Sequence, residues 1–168
     1  MYLRILKQGV NTWNQWRENN PNAQPDLEGA YLRGINLSQA HLKGVNLSQA
    51  NLCETQLEEI NLSHTNLSYA NLWRTDFSRS QLIEANLTGA YPIEANFIGA
   101  NLTGANLTGA KLDKSQVTQT KFSSNSIGMS EALKQDLINR GAIFEDTLKK
   151  PVILTPMHHY KPRLRLVE

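Results

Sequence analysis

The sequence predicts an all-β solenoid, a square coil in which five residues build one side and twenty close a turn. Three observations predict it. A large apolar residue, mostly leucine, falls at every fifth place from Leu27 to Ile127, interrupted only at Pro92 among 21 consecutive places. A small residue stands two places before most of them, as at Ala30, Ala50, Ala70, Ala90 and Ala110, with asparagine often between, as at Asn46, Asn66 and Asn106. A period of five matches neither the 3.6 of a helix nor the alternation of a strand, and seven-residue coiled-coil repeats do not contain it.

If each unit is one side, the large and the small residue face inward and the other three face out. Turns then stack through backbone hydrogen bonds about 4.8 Å apart, giving roughly 24 Å for about five turns. Steps of twenty define inward columns. One holds Leu27, Leu47, Leu67, Leu87, Leu107 and Ile127; a second holds Leu32, Leu52, Leu72, Pro92 and Leu112. A third holds Leu37, Leu57, Phe77, Phe97 and Val117, so Phe77 is predicted to lie directly under Phe97, where one ring is the natural neighbour of another. The fourth holds Leu42, Leu62, Leu82, Leu102 and Phe122. The glycines at 29, 34, 44, 89, 99, 104 and 109 share one place in the unit and mark corners.

Strings such as ANLTGANLTGA and VNLSQANL carry a resemblance to the pentapeptide-repeat family, whose units centre on A(D/N)LXX. The resemblance covers about 105 of the 168 residues. It implies a right-handed quadrilateral parallel β-helix, and it says little about activity.

A stacked solenoid leaves core and backbone open at each end, so short helical caps are expected at both. Residues 1–24 are read as an N-terminal cap, with one amphipathic helix over 3–18 and Leu6, Val10, Trp13 and Trp16 on one face. The solenoid spans 25–129. Residues 130–145 are read as a C-terminal cap, with Ser130 opening a helix of about 131–140 and Gly141 ending it. The segment RGAIF at 140–144 resembles the closing segment of the family, which places Ile143 and Phe144 over the last turn. Residues 146–168 form a basic tail with Pro151, Pro156 and Pro162, extended or disordered.

Catalytic chemistry finds no foothold. No Ser/His/Asp or Cys/His constellation can be assembled, and no phosphate-binding glycine loop is present. His41 and His64 fall on one side but about 10 Å apart along extended chain, too far to share a metal. His158 and His159 lack a third ligand, and Cys53 takes an outward place as a spectator thiol. No cofactor is expected, and the chain is read as not an enzyme. One cysteine and the absence of a signal peptide or membrane-length apolar stretch point to a soluble, cytoplasmic protein.

The outward surface is more informative. Trp73 lies one turn below Ile93, Tyr91 shares the unit of Ile93, and Ile98 follows around the corner. They surround Pro92, where the lost amide predicts a local bulge or an inward turn of Ile93. Two occupants fit this patch: the tail segment PVIL at 151–154, or a protein partner, including a second copy of the chain. The leading function is therefore a binding or scaffold module with an unidentified protein partner. The alternative comes from the resemblance, because some pentapeptide-repeat proteins protect DNA gyrase from quinolones by mimicking duplex DNA. Mimicry needs a continuous negative surface, and residues 25–129 hold 9 Asp/Glu against 7 Lys/Arg. Nucleic-acid binding is unlikely, since the basic residues form no stripe.

Overall fold

A computed structural model describes residues 1–145. The expected tail, with His158, His159 and the segment 151–154, lies outside the described residues.

The five-residue unit becomes a side of a coil through three hydrogen bonds that recur with fixed offsets. The amide of the inward leucine donates to a carbonyl nineteen residues ahead, as Leu67 N–H does to Asn86 O at 2.8 Å. The corner amide does the same, as Tyr69 N–H to Thr88 O at 2.8 Å. The residue before the leucine donates backward, as Asn86 N–H to Thr65 O at 3.0 Å. Together these place residues twenty apart in parallel register, for example Asn46 on Asn66 on Asn86 on Asn106. Each corner is closed inside its own unit, as by Ala70 N–H to Leu67 O at 3.2 Å.

Every corner from 29 to 119 has positive φ, and twelve of these corners carry a side chain rather than glycine. A non-glycine residue there costs about 1–2 kcal/mol. The ladder and the core together offset it, because no other corner keeps both the inward columns and the register. The columns are buried as the period requires: Leu67 and Phe77 are fully inaccessible, and the Phe77 and Phe97 rings stack with centroids 5.0 Å apart and planes at 4°.

Asparagine has a structural task that periodicity did not reveal. Its Oδ1 accepts the amide two residues on, as in Asn66 from Ser68 at 3.2 Å, and so fixes the entry to the corner. On one side the same amides also link turns, Asn66 Nδ2 donating to Asn46 Oδ1 at 3.0 Å and Asn86 Nδ2 to Asn66 Oδ1 at 3.1 Å. Where threonine replaces the small alanine, its buried hydroxyl donates to a carbonyl of the turn below, as Thr75 Oγ1 to Leu52 O at 2.7 Å. No buried hydroxyl among these is left without a partner.

The expectations for Pro92, Ile127, Cys53 and the N-terminal helix are corrected. Pro92 forms no bulge: it is buried in its column while Leu72 N–H still reaches Tyr91 O and Arg74 N–H still reaches Ile93 O at 3.1 Å. Proline removes one donor only, the bond towards Lys111 O, and Lys111 N–H to Ala90 O at 3.0 Å holds the same turns together. Ile93 accordingly stays on the outside. Ile127 leaves its column and is 63% exposed, because a turn at 123–126 slips the chain by one residue and Leu107 N–H meets Ile127 O instead of residue 126. Cys53 takes the expected outward place but is buried there. The N-terminal helix is two helices, α1 (Tyr2–Leu6) and α2 (Val10–Asn19), divided at Gly9 with φ +119°, a conformation a longer side chain resists.

Both ends bond the solenoid edge. Trp13 on α2 is fully buried, and its Nε1 donates to His41 O at 3.0 Å. Asn14 accepts His41 N–H at 2.8 Å and donates to Gln39 O, while Arg17 donates to Lys43 O at 3.1 Å. By the offsets above, the amide of His41 and the carbonyls of His41 and Lys43 are groups that a preceding turn would have paired. Side chains of α2 stand in for that turn. At the far end, β1 (Lys121–Phe122) pairs in parallel with β2 (Ile143–Phe144) across helix α3 (Glu131–Asn139). Ser130 accepts Leu133 N–H to open α3, and Phe144 stacks on Phe122 at 5.7 Å. Ile143, expected to cover the core with it, is 43% exposed, since neighbouring strand residues face opposite ways.

Candidate functional site

The outward residues around Pro92 form a shallow groove of about 510 Å³ lined by Gln49, Tyr69, Asn71, Trp73, Tyr91 and Ile93. Trp73, Tyr91 and Ile93 were predicted to share a patch, and the stacking of adjacent turns brings them together. Ile98 is exposed but belongs to the next side, beyond the corner at Glu94, and does not line the groove. Tyr69 was missed. It occupies the corner just before the unit of Trp73, and the twenty-residue stacking sets it beside Gly89, next to the unit of Tyr91.

Two of the aromatic side chains, Trp73 and Tyr69, are held by neighbours within the chain. Arg74 lies over the Trp73 ring with Cζ 4.2 Å from its centroid, and Glu94 of the next turn fixes Arg74 through Nε at 2.8 Å. Tyr69 leans over the bare corner at Gly89, where an added Cβ would come within 2.5 Å of Cε1. Gly89 is thus needed twice, for its φ of +62° and for the room it leaves the ring. Tyr69 and Tyr91 remain 59% and 46% exposed, a large apolar area on a solenoid whose outward places are mostly polar, Tyr31 and Ile98 being exposed elsewhere.

Elsewhere the surface is electrically quiet. Glu54 pairs with Arg33 at 3.2 Å, Glu59 with Arg79 at 2.7 Å, Glu58 also with Arg79, and Glu84 approaches His64 Nδ1 at 3.3 Å. With Glu94 on Arg74, the five glutamates on these sides each face a basic side chain. No continuous negative surface results among the described residues. Burial pushes the Cys53 thiol up from its ordinary range, a larger influence than the nearby Arg33 guanidinium, which draws it down. Among the described residues no group of three His, Cys, Asp or Glu is placed to hold a metal, and no helix is long and apolar enough to cross a membrane.

The repeat itself decides the family. The pentapeptide-repeat model matches eight copies over residues 26–58, 55–91 and 93–124. The chain belongs to the pentapeptide-repeat family. Members form right-handed β-helices, and the twenty-residue ladder described above is this pentapeptide-repeat protein's version of that fold. Among solved structures it is similar to HetL of the cyanobacterium Nostoc sp. strain PCC 7120, involved in heterocyst differentiation regulation. They share 26% identity over 67% of this chain and 54% of that one, with a TM-score of 0.35. A pentapeptide-repeat protein of the Arabidopsis thaliana thylakoid lumen is 22% identical over 70% of this chain and 75% of that one, with a TM-score of 0.43. QnrB1, a plasmid-mediated fluoroquinolone resistance protein, is 19% identical over 70% of this chain and 84% of that one, with a TM-score of 0.35. This chain spans about half the length of HetL. No curated protein sequence matches it.

Proposed function

We propose that this pentapeptide-repeat protein is a non-catalytic binding or scaffold module, a rigid quadrilateral rod of about five turns capped by helices at both ends. A protein partner, or a second copy of the chain, seats on the groove at Trp73, Tyr91 and Ile93. The observation that carries this reading is the preset aromatic cluster: Trp73 backed by Arg74 and Glu94, and Tyr69 resting on Gly89. Immobilised aromatic side chains with little remaining entropy to lose are the residues that dominate protein interfaces. A cytoplasmic location belongs to the same reading.

Gyrase binding by DNA mimicry is the weaker reading, since five of the solenoid's six glutamates face arginine or histidine partners across turns, Glu28 meeting Gln49 instead. Sedimentation of the full chain and of Trp73→Ala/Ile93→Ser tests self-association, and capture with both forms tests a separate partner. The groove reading requires that the double substitution abolish one of these associations without lowering the melting temperature by more than a few degrees. If every association survives it, the groove is not the interface.

A further inference from the structure

The backbone ladder is regular enough that a break in it stands out. From Asn46 to Lys121, every residue preceding an inward place donates its amide to the turn below, except Asn61. Among inward residues from Leu27 to Leu107, only Leu42 and the imino acid Pro92 fail to donate to the turn above; Leu42 N–H turns back to Ala40 O at 2.9 Å. The corner amide of Gln39 likewise does not reach Glu58 O, although its neighbour Gly44 reaches Ser63 O at 3.0 Å. Three consecutive inter-turn bonds are therefore absent between residues 39–42 and 58–61. An opening of about 370 Å³ lies at the same place, lined by Gln39, Ala40, His41, Lys43, Glu59, Ile60 and Asn61.

The same short segment is the one that α2 grips. Asn14 binds Gln39 O and His41 N–H, and Trp13 binds His41 O, all from the side away from the second turn. We infer that residues 39–42 are a latch with two positions. In one, α2 draws the segment off the second turn and holds the ladder open. In the other, released by α2, the segment closes on residues 58–61 and the three bonds form. The docking of the N-terminal helices is thereby coupled to the pairing of the first two turns, and whatever displaces α2 is answered by closure of the ladder. Ile60 offers a competing cause. It is buried at a place usually held by alanine, serine or threonine, and its bulk alone would also keep the turns apart.

Amide hydrogen exchange of the full chain separates the two, read at Gln39 and Asn61 against their counterparts Gln49 and Asn66. The latch predicts exchange at Gln39 and Asn61 at least about 100-fold faster than at the counterparts in the unaltered protein, since a fully formed inter-turn bond opens only with sub-global unfolding. Asn14→Ala, which removes two of the three hydrogen bonds from α2 to residues 39–41 and leaves Trp13 in the core, is expected to bring both amides to within about tenfold of their counterparts. Ile60→Ala with α2 still docked, monitored by tryptophan fluorescence, is expected to leave them fast. Slow exchange in the unaltered protein overturns the inference, as does fast exchange persisting in Asn14→Ala, or protection gained in Ile60→Ala alone.

Discussion

Leu67 and Cys53 show how one outward or inward place fixes a residue's behaviour. Leu67 is fully buried between Leu47 and Leu87, and truncation removes methyl groups that neighbouring turns, tied by their ladders, cannot move to replace. Leu67→Ala is expected to cost about 2–5 kcal/mol in urea unfolding, with Leu67→Asp more damaging. Cys53 stands at an outward place yet is buried, with its thiol pushed up by that burial. At pH 8 it is expected to react with a thiol reagent at least tenfold more slowly in the folded chain than in urea, because both access and thiolate fraction are reduced. The inward columns were legible from the sequence because the five-residue period alone determines them, down to the stacking of Phe77 on Phe97. The burial of Cys53 was not, because it depends on the size of outward neighbours in adjacent turns rather than on the period.

At the scale of elements, the ends depend on individual hydrogen bonds rather than on a repeated pattern. Trp13→Phe keeps the ring in the core and removes the donor to His41 O; it is expected to lower stability by about 0.5–1.5 kcal/mol. Arg140 donates to Leu112 O at 3.0 Å and Ser115 O at 3.1 Å and pairs with Asp136 at 2.7 Å, tying α3 to the last complete turn. Arg140→Met leaves two carbonyls without that cation and is expected to cost more, about 1.5–3 kcal/mol, read as a lower urea midpoint. The helices themselves could be placed from Trp13, Ser130 and Gly141, which carry ordinary amphipathic and capping signals. Their details could not: a single glycine divides α1 from α2, and a one-residue slip at 123–126 turns Ile127 outward. Neither event has a periodic signature. The proline register fault was over-read for the opposite reason. One missing donor is a small loss when the remaining bonds of the unit, on both of its neighbours, stay in place.

Across the whole molecule, the repeat consumes the residues that might have announced chemistry and leaves function to the outward places. Three of the four residues proposed as an interaction patch meet in one groove, and the fourth, Ile98, is cut off by a corner. Tyr69 joined them only once the turns were stacked. The paired glutamates and the preset aromatics favour a rod that presents a surface to a protein over one that imitates nucleic acid. The most direct test places a photoactivatable cross-linking residue at Tyr91 in the groove, and separately at exposed Gln116 on another side, in cells producing the full chain. The account predicts one discrete protein adduct, or a dimer of the chain, from position 91, lost when Trp73→Ala and Ile93→Ser are added, and none of it from position 116. Equal adducts from both positions, or an adduct at 91 that survives the two substitutions, would contradict it.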